Sequence, residues 1–126
     1  MSKTAFLFPG QGAQYCGMGK DFFDAYDSAK EVYVQAGEAV GMDVAELCFT
    51  ENDELNITEY TQIAMLATET AILRVLEEKG VKADCAAGLS LGEYGALAAA
   101  EVMELPELFR LIRCRGVFMQ EAYPVG

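Results

Sequence analysis

A serine stands at the centre of the pentapeptide at residues 88–92 (GLSLG), which fits the pattern G-x-S-x-G. An apolar segment precedes Ser90 and an alanine-rich segment follows it. In this setting the serine lies on a sharp turn from a strand to a helix, where its hydroxyl projects clear of the sheet as a nucleophile. A helix beginning at Leu91 points its amide end at the hydroxyl and favours developing negative charge. The pattern alone also fits an ordinary serine in a glycine-rich turn.

Arg115 is the second residue whose position indicates chemistry. It shares one face of a predicted helix with apolar residues at i, i+3 and i+4 spacing. These neighbours are Leu108, Leu111, Ile112, Phe118 and Met119. An unpaired charge among them is costly, so Arg115 requires an anion, which is either a carboxylate of this chain or that of a ligand. Arg110 and Arg113 lie on a different face and are predicted to be solvated.

Two short apolar segments and a series of amphipathic ones must position these residues. Residues 4–8 and 81–87 are predicted to be buried strands, and residues 9–19, with four glycines, a loop. The helical segments are predicted at residues 21–40 (one or two helices), after a capping Asp43, and at residues 58–79, 91–102 and 106–123. This order indicates an α/β fold with a parallel-sheet core and flanking helices. Two strands are too few for a stable sheet, so the fold is predicted to be incomplete.

The composition limits the partners of the chain. Its 126 residues include 20 acidic and 9 basic ones, and the net charge of -11 argues against nucleic acid or an anionic membrane surface as a partner. No apolar segment approaches the roughly 18 residues of a membrane span, and the amino terminus lacks the features of a signal peptide. A cytoplasmic location is therefore predicted. The four cysteines form no C-x-x-C pair and histidine is absent, which favours reduced thiols and no metal site.

Four segments resemble, in order, the motifs of malonyl-CoA:acyl carrier protein transacylases and of the related acyltransferase domains of polyketide synthases. Residues 88–96 (GLSLGEYGA) resemble the nucleophile motif, and residues 9–14 (PGQGAQ) resemble the loop after the first strand. Residues 61–64 (TQIA) are similar to a segment that is usually TQPA. Residues 115–120, with Arg-Gly and Met-Gln at their ends, resemble the fourth. Four motifs in order are much more specific than the serine turn alone.

The resemblance implies that residues 1–126 are the amino-terminal portion of an acyltransferase domain, within its α/β-hydrolase-like large subdomain. It implies transfer of a malonyl group from malonyl-CoA to acyl carrier protein through an ester on Ser90, in fatty acid biosynthesis. The main-chain N–H groups of Gln11 and Leu91 would form the oxyanion hole, and Arg115 would bind the malonyl carboxylate. Gln62 is a further candidate for the site. Coenzyme A enters with the substrate, and no cofactor is implied.

Three departures from the family pattern affect this interpretation. Leu89 occupies a position that is often histidine, and Ile63 replaces the usual proline, which leaves the role of Gln62 open. The family's general base is a histidine from a later segment, and this chain contains no histidine. The ferredoxin-like subdomain and the return to the main sheet are not encoded either. Because serine is a poor nucleophile without a base, we expect the isolated chain to be inactive or nearly so.

Two other functions remain open from the sequence. An α/β-hydrolase-type esterase or thioesterase also uses G-x-S-x-G, although it usually carries an HGGG-type loop and has no use for Arg115 against a neutral acyl chain. A non-catalytic remnant that binds acyl carrier protein is compatible with the missing histidine, and its missing strands predict an exposed sheet edge. Gly95 is expected to leave room beside Ser90. Malonyl and methylmalonyl substrates are not distinguished.

Overall fold

The computed structural model describes residues 2–124. Within them, strand β1 spans Ala5–Phe8 and strand β2 spans Cys85–Gly88. The helices are α1 (Lys20–Ala25), α2 (Asp27–Val40), α3 (Val44–Phe49), α4 (Thr58–Glu78), α5 (Gly92–Ala99) and α6 (Leu105–Ala122). Every predicted helical segment is present, and the 21–40 segment is divided where Tyr26 adopts an extended backbone between α1 and α2.

The two strands pair in parallel, with Ala5 opposite Cys85 and Phe8 opposite Gly88. The predicted parallel sheet is therefore confirmed, and helices α1 to α4 form its crossover, as a parallel connection requires. The second strand begins four residues later than predicted. The chain joins the sheet only at Asp84, whose main-chain N–H and side chain both bond the main chain of Thr4, at 2.7 Å each.

The described helices cover one face of the sheet. Helix α5 packs on both strands, and the side chain of Phe8 is buried on that side. On the opposite face Leu7 is 77% exposed, and its neighbours there are exposed as well. The described helices therefore leave this face of the sheet uncovered, whereas a parallel sheet is normally covered on both faces.

Helix α4 forms the centre of the core. The sequence predicts one apolar face on this helix, but its residues from Thr61 to Ala71 are all buried, since α2, α5 and α6 pack around it. Its threonines are accommodated because their hydroxyls bond main-chain carbonyl groups one turn earlier. Thr68 donates to Ala64 at 2.9 Å and Thr70 to Leu66 at 2.8 Å.

Helix ends follow local signals in the sequence. Asp43 caps α3 as predicted, since its Oδ1 accepts from the N–H of Glu46 at 2.9 Å. Helix α5 ends three residues earlier than predicted, because Glu101 adopts a left-handed backbone with φ of 58°. The N–H of Val102 then bonds the carbonyl of Leu97 at 3.2 Å, which closes the helix in a Schellman-type turn. No helix in residues 2–124 is long and apolar enough to cross a membrane.

Candidate active site

Ser90 lies between β2 and α5 on the sharp turn that the sequence predicts. Its φ is 53°, a left-handed conformation that is strained for a residue with a side chain. A Cβ atom at Gly88 would overlap the carbonyl group of Gly92, and a Cβ atom at Gly92 would overlap the carbonyl group of Phe8. The strand, the turn and the helix can therefore lie this close together only because residues 88 and 92 are both glycine. The side chain of Ser90 is exposed.

The loop after β1 runs directly beside this turn. A Cβ atom at Gly10 would lie 2.6 Å from the carbonyl oxygen of Leu89, so the two backbones are almost in contact. Gln11 follows in the loop, while Leu91 begins the approach to α5 with its side chain fully buried. No main-chain hydrogen bond from the N–H of Gln11 or of Leu91 is found within residues 2–124. Neither N–H group is therefore bound by the main chain of the described residues.

A chain of side-chain hydrogen bonds joins the predicted site residues. The guanidinium of Arg115 donates from Nη2 to Oγ of Ser90 at 3.1 Å and from Nη1 to Oε1 of Gln62. Nε2 of Gln62 donates to Oε1 of Gln11 at 2.8 Å. Nε2 of Gln11 donates to Oγ1 of Thr58 at 3.0 Å. Residues from the β1 loop, α4, the serine turn and α6 thus meet in one network.

The direction of this network follows from the chemistry of arginine. A guanidinium only donates hydrogen bonds, so the group that Arg115 contacts on Gln62 must be the amide oxygen. The amide nitrogen of Gln62 then faces the oxygen of Gln11, and the amide nitrogen of Gln11 requires an acceptor in turn. Thr58 supplies that acceptor. The sequence did not single out Thr58, which begins α4 four residues before Gln62.

The position of Gln62 depends on the crossing of α4 and α6. Gln62 is 1% exposed, and a Cβ atom at Gly116 would lie 3.1 Å from its Cβ and Cγ atoms. Glycine at this position lets α6 approach α4 closely enough for Arg115 to reach the amide. Ile63, which replaces the usual proline, is fully buried and does not remove Gln62 from the network.

The surroundings of Arg115 differ in part from the predicted apolar stripe. Leu108 and Ile112 are buried, but the other members of the predicted apolar face are exposed: Leu111 by 42%, Phe118 by 67% and Met119 by 37%. The half-buried Arg115 has no carboxylate within ion-pair distance among the described residues; the ion pairs found there are Lys20–Asp24, Arg74–Glu77 and Arg113–Glu59. The guanidinium of Arg115 donates hydrogen bonds to a hydroxyl and an amide oxygen instead, and it lies over the ring of Tyr94 at 5.2 Å.

Two sequence predictions near the site are wrong. Arg113 is not simply solvated, because it donates to the carbonyl of Glu59 at 2.8 Å and lies over the ring of Tyr60 at 5.1 Å. This contact joins α6 to the start of α4. Gly95 does not leave room beside Ser90, since a Cβ atom there would meet the ring of Phe8 at 2.5 Å and Oε1 of Glu69 at 2.7 Å.

A second link holds the β1 loop, and sequence reasoning missed it. Oε1 of Gln14 accepts from the N–H of Gly12 at 2.7 Å, and Nε2 of Gln14 donates to Oδ1 of Asn56 at 2.9 Å. Asn56 and Thr58 therefore anchor the same loop from the segment that leads into α4. Within residues 2–124 no group of three or more potential metal ligands is found, and all four cysteines are free.

The comparisons with known proteins show the family of the chain. The family described as acyl transferase domain matches residues 5–126, so the chain belongs to the acyl transferase domain family. A curated relative, the malonyl CoA-acyl carrier protein transacylase of Bacillus subtilis (strain 168), is 42% identical over 127 residues, which cover 100% of this chain and 40% of the relative.

Two solved structures are similar at the level of the backbone. The malonyl CoA-acyl carrier protein transacylase from Clostridium perfringens superposes with a TM-score of 0.91 at 49% identity, over 96% of this chain and 39% of that one. A type II PKS acyl-carrier protein in complex with its malonyl-transacylase gives a TM-score of 0.92 at 42% identity, over 98% of this chain and 40% of that one. The chain thus spans less than half the length of these relatives.

Proposed function

We propose that this chain carries the acyl-accepting serine and the carboxylate-binding arginine of a malonyl-CoA:acyl carrier protein transacylase. The observation that carries the proposal is the contact between Arg115 and Ser90. A positive charge with no carboxylate partner beside a strained, exposed serine favours an acyl group that itself ends in a carboxylate. On this proposal residues 1–126 form part of an α/β-hydrolase-like large subdomain.

The proposed first half-reaction assigns a role to each of these groups. Oγ of Ser90 attacks the thioester carbonyl, the C–S bond breaks, and coenzyme A leaves as the thiol while the malonyl group remains as a serine ester. The N–H groups of Gln11 and Leu91 stabilise the oxyanion of the tetrahedral intermediate. The carboxylate, separated from the reacting carbonyl by one methylene group, lies within reach of the Arg115 guanidinium.

The second half-reaction reverses the first with a different thiol. The pantetheine thiol of acyl carrier protein attacks the ester, and Ser90 recovers its proton. Both halves need a base to take and return a proton, and the chain contains no histidine. We infer that the base is supplied by protein outside these residues, and that the chain alone reacts slowly at most. A role in fatty acid biosynthesis and a cytoplasmic location are part of the same proposal.

The alternative of an esterase or thioesterase for neutral acyl groups is less well supported. A cation beside the nucleophile does not stabilise a neutral acyl group, whereas it does stabilise the carboxylate of a malonyl group. The family match and the named relatives favour acyl transfer. Binding of acyl carrier protein without catalysis is a second alternative, which predicts no acyl-enzyme under any condition.

The test is formation of an acyl-enzyme on the whole chain. The protein is mixed with malonyl-CoA with and without imidazole as an external base, quenched in acid and analysed by intact mass and peptide mapping. We expect a malonyl adduct on Ser90, faster with imidazole and slower with acetyl-CoA. Ser90→Ala should abolish it and Ser28→Ala, at the half-buried serine of α2 that donates to Glu78, should not. An adduct that survives in Ser90→Ala, or one that forms as fast with acetyl-CoA, would refute the proposal, and no adduct even with imidazole would favour the non-catalytic alternative.

A further inference from the structure

Two arginines of helix α6 lie over tyrosine rings, but their surroundings differ. The guanidinium carbon of Arg113 lies 5.1 Å from the ring centroid of Tyr60 on α4, and Glu59 pairs with its charge at 3.3 Å. The guanidinium carbon of Arg115 lies 5.2 Å from the ring centroid of Tyr94 on α5. No carboxylate in the described part of the chain is within ion-pair distance of Arg115. The ring of Tyr94 therefore contacts a cation that no neighbouring anion neutralises.

Helix α5 places Tyr94 directly beside the serine turn. The N–H of Tyr94 bonds the carbonyl of Leu91 at 3.1 Å, so this residue belongs to the first turn of the helix. It follows Ser90 by four residues, which puts the two on the same side of the turn. Helical side chains lean toward the amino end of their helix, and the half-buried ring leans toward Ser90 accordingly. The ring thus reaches the guanidinium that donates to the serine oxygen.

An aromatic ring can hold a cation in place without neutralising it. The face of the ring attracts the guanidinium through its quadrupole, whereas a carboxylate in the same place would form an ion pair and compete with an anionic ligand. The hydrogen-bond partners of Arg115, which are the amide oxygen of Gln62 and the hydroxyl of Ser90, are uncharged as well. These contacts together restrain the side chain and leave its positive charge for a ligand.

We propose that Tyr94 is a positioning residue, whose ring holds the guanidinium of Arg115 toward an acyl carboxylate carried by Ser90. This inference rests on the proposed function and adds the residue that orders Arg115 before the substrate binds. A flexible side chain loses rotamer freedom when it is immobilised on a ligand, and this loss lowers affinity. The contact with Tyr94 removes part of the loss in advance. Tyr94 acts through Arg115 and not on the acyl group itself.

The test compares malonyl-CoA with acetyl-CoA by calorimetry on the whole chain. In Tyr94→Leu we expect the preference for malonyl-CoA, taken as the ratio of the two dissociation constants, to fall about 3- to 10-fold. Tyr94→Met is a second variant without a ring and should behave alike. Tyr94→Phe keeps the ring and should stay within about twofold of the parent. Tyr60→Leu, which removes the matched ring from Arg113, should keep the preference of the parent.

A second measurement observes Arg115 directly and needs no ligand. In the chain labelled with nitrogen-15, the signal of its Nε–H group is identified by its loss in Arg115→Met. A proton over the face of an aromatic ring resonates upfield, so this signal should move downfield in Tyr94→Leu. It should stay near the parent position in Tyr94→Phe and in Tyr60→Leu. Dispersed main-chain amide signals in each variant show that the fold is retained.

The outcomes separate this inference from the proposed function. A malonyl preference that is unchanged in Tyr94→Leu, or an Arg115 signal that does not move there, would overturn the positioning role alone. An equal fall in Tyr60→Leu would overturn it too, because the effect would then not depend on the ring beside Arg115. A parent chain with no preference for malonyl-CoA would overturn the proposed function, and the positioning role with it.

Discussion

Nη2 of Arg115 lies 3.1 Å from Oγ of Ser90, although the two residues are 25 positions apart, one on the serine turn and the other on α6. The contact exists because α6 packs against α5, which directly follows the serine turn. Since arginine only donates, the serine oxygen accepts from Arg115, and its own proton remains free for transfer to a base. The same guanidinium is therefore positioned to contact a group attached to the serine.

Replacing Arg115 tests the selectivity for a carboxylated acyl group. In Arg115→Met we expect malonyl-CoA to bind about 10- to 100-fold more weakly, because a charge-assisted hydrogen bond contributes about 1.5–3 kcal/mol. Acetyl-CoA binding should change little, and calorimetry on both ligands measures the difference. Arg110→Met, on the exposed side of the same helix, serves as the control. An equal loss for both ligands would contradict a role in carboxylate binding.

Removing the Thr58 hydroxyl should loosen the loop that carries Gln11. In Thr58→Val the amide nitrogen of the exposed Gln11 loses its acceptor, and the net loss of one such hydrogen bond costs about 0.5–1.5 kcal/mol. We expect several-fold faster hydrogen exchange at residues 10–14, with no change in α2. Thr58→Ser keeps the oxygen and should resemble the parent chain. Unchanged loop exchange in the valine variant would show that the link to Gln14 is sufficient.

The buried Glu69 predicts a pH dependence of stability. Burial raises its pKa from 4.5 to about 8, so between these values the folded chain holds a proton that the unfolded chain has lost. The contribution of this group to stability therefore falls as the pH rises through that window. Glu69→Gln cannot ionise. Between about pH 5 and pH 8 the free energy of unfolding of the parent should therefore fall by about 3–5 kcal/mol relative to that of Glu69→Gln.

Denaturant unfolding of both chains at several pH values measures this effect. The parent and Glu69→Gln should be closest in stability near the acidic end of the window and furthest apart near pH 8. Glu107→Gln controls for the loss of a charge at the surface. A gap between the two chains that is the same at every pH would mean that Glu69 does not titrate in this window.

Adding a methyl group at Gly95 should destabilise the chain. In most helices Gly→Ala is stabilising by about 0.5–1 kcal/mol, because glycine loses more backbone entropy on folding. At Gly95 the methyl group would press on the ring of Phe8 and the carboxyl of Glu69, at 2.5 and 2.7 Å, and overpacking costs about 1–3 kcal/mol. The free energy of unfolding of Gly95→Ala should be lower than that of the parent chain. A higher value would contradict the packing of Gly95 against Phe8 and Glu69.

The local features of the fold were predictable because neighbouring residues determine them. The serine turn follows from two glycines around Ser90, the cap of α3 from Asp43, and the helix positions from apolar spacing. Each of these depends on backbone sterics or on hydrogen bonds within a few residues. The amino-acid sequence by itself therefore determined where the candidate nucleophile lies and which elements carry it.

Contacts between distant segments were decided only by the tertiary structure. Whether Arg115 meets a carboxylate or a hydroxyl depends on how α6 crosses α4, and that crossing depends on Gly116 fitting against Gln62. The continuous burial of α4 from Thr61 to Ala71 and the isolation of Glu69 likewise arise from helices that pack around them from elsewhere in the chain. Periodicity along one helix describes its own faces, whereas the partner of a side chain is set by which element packs against that face.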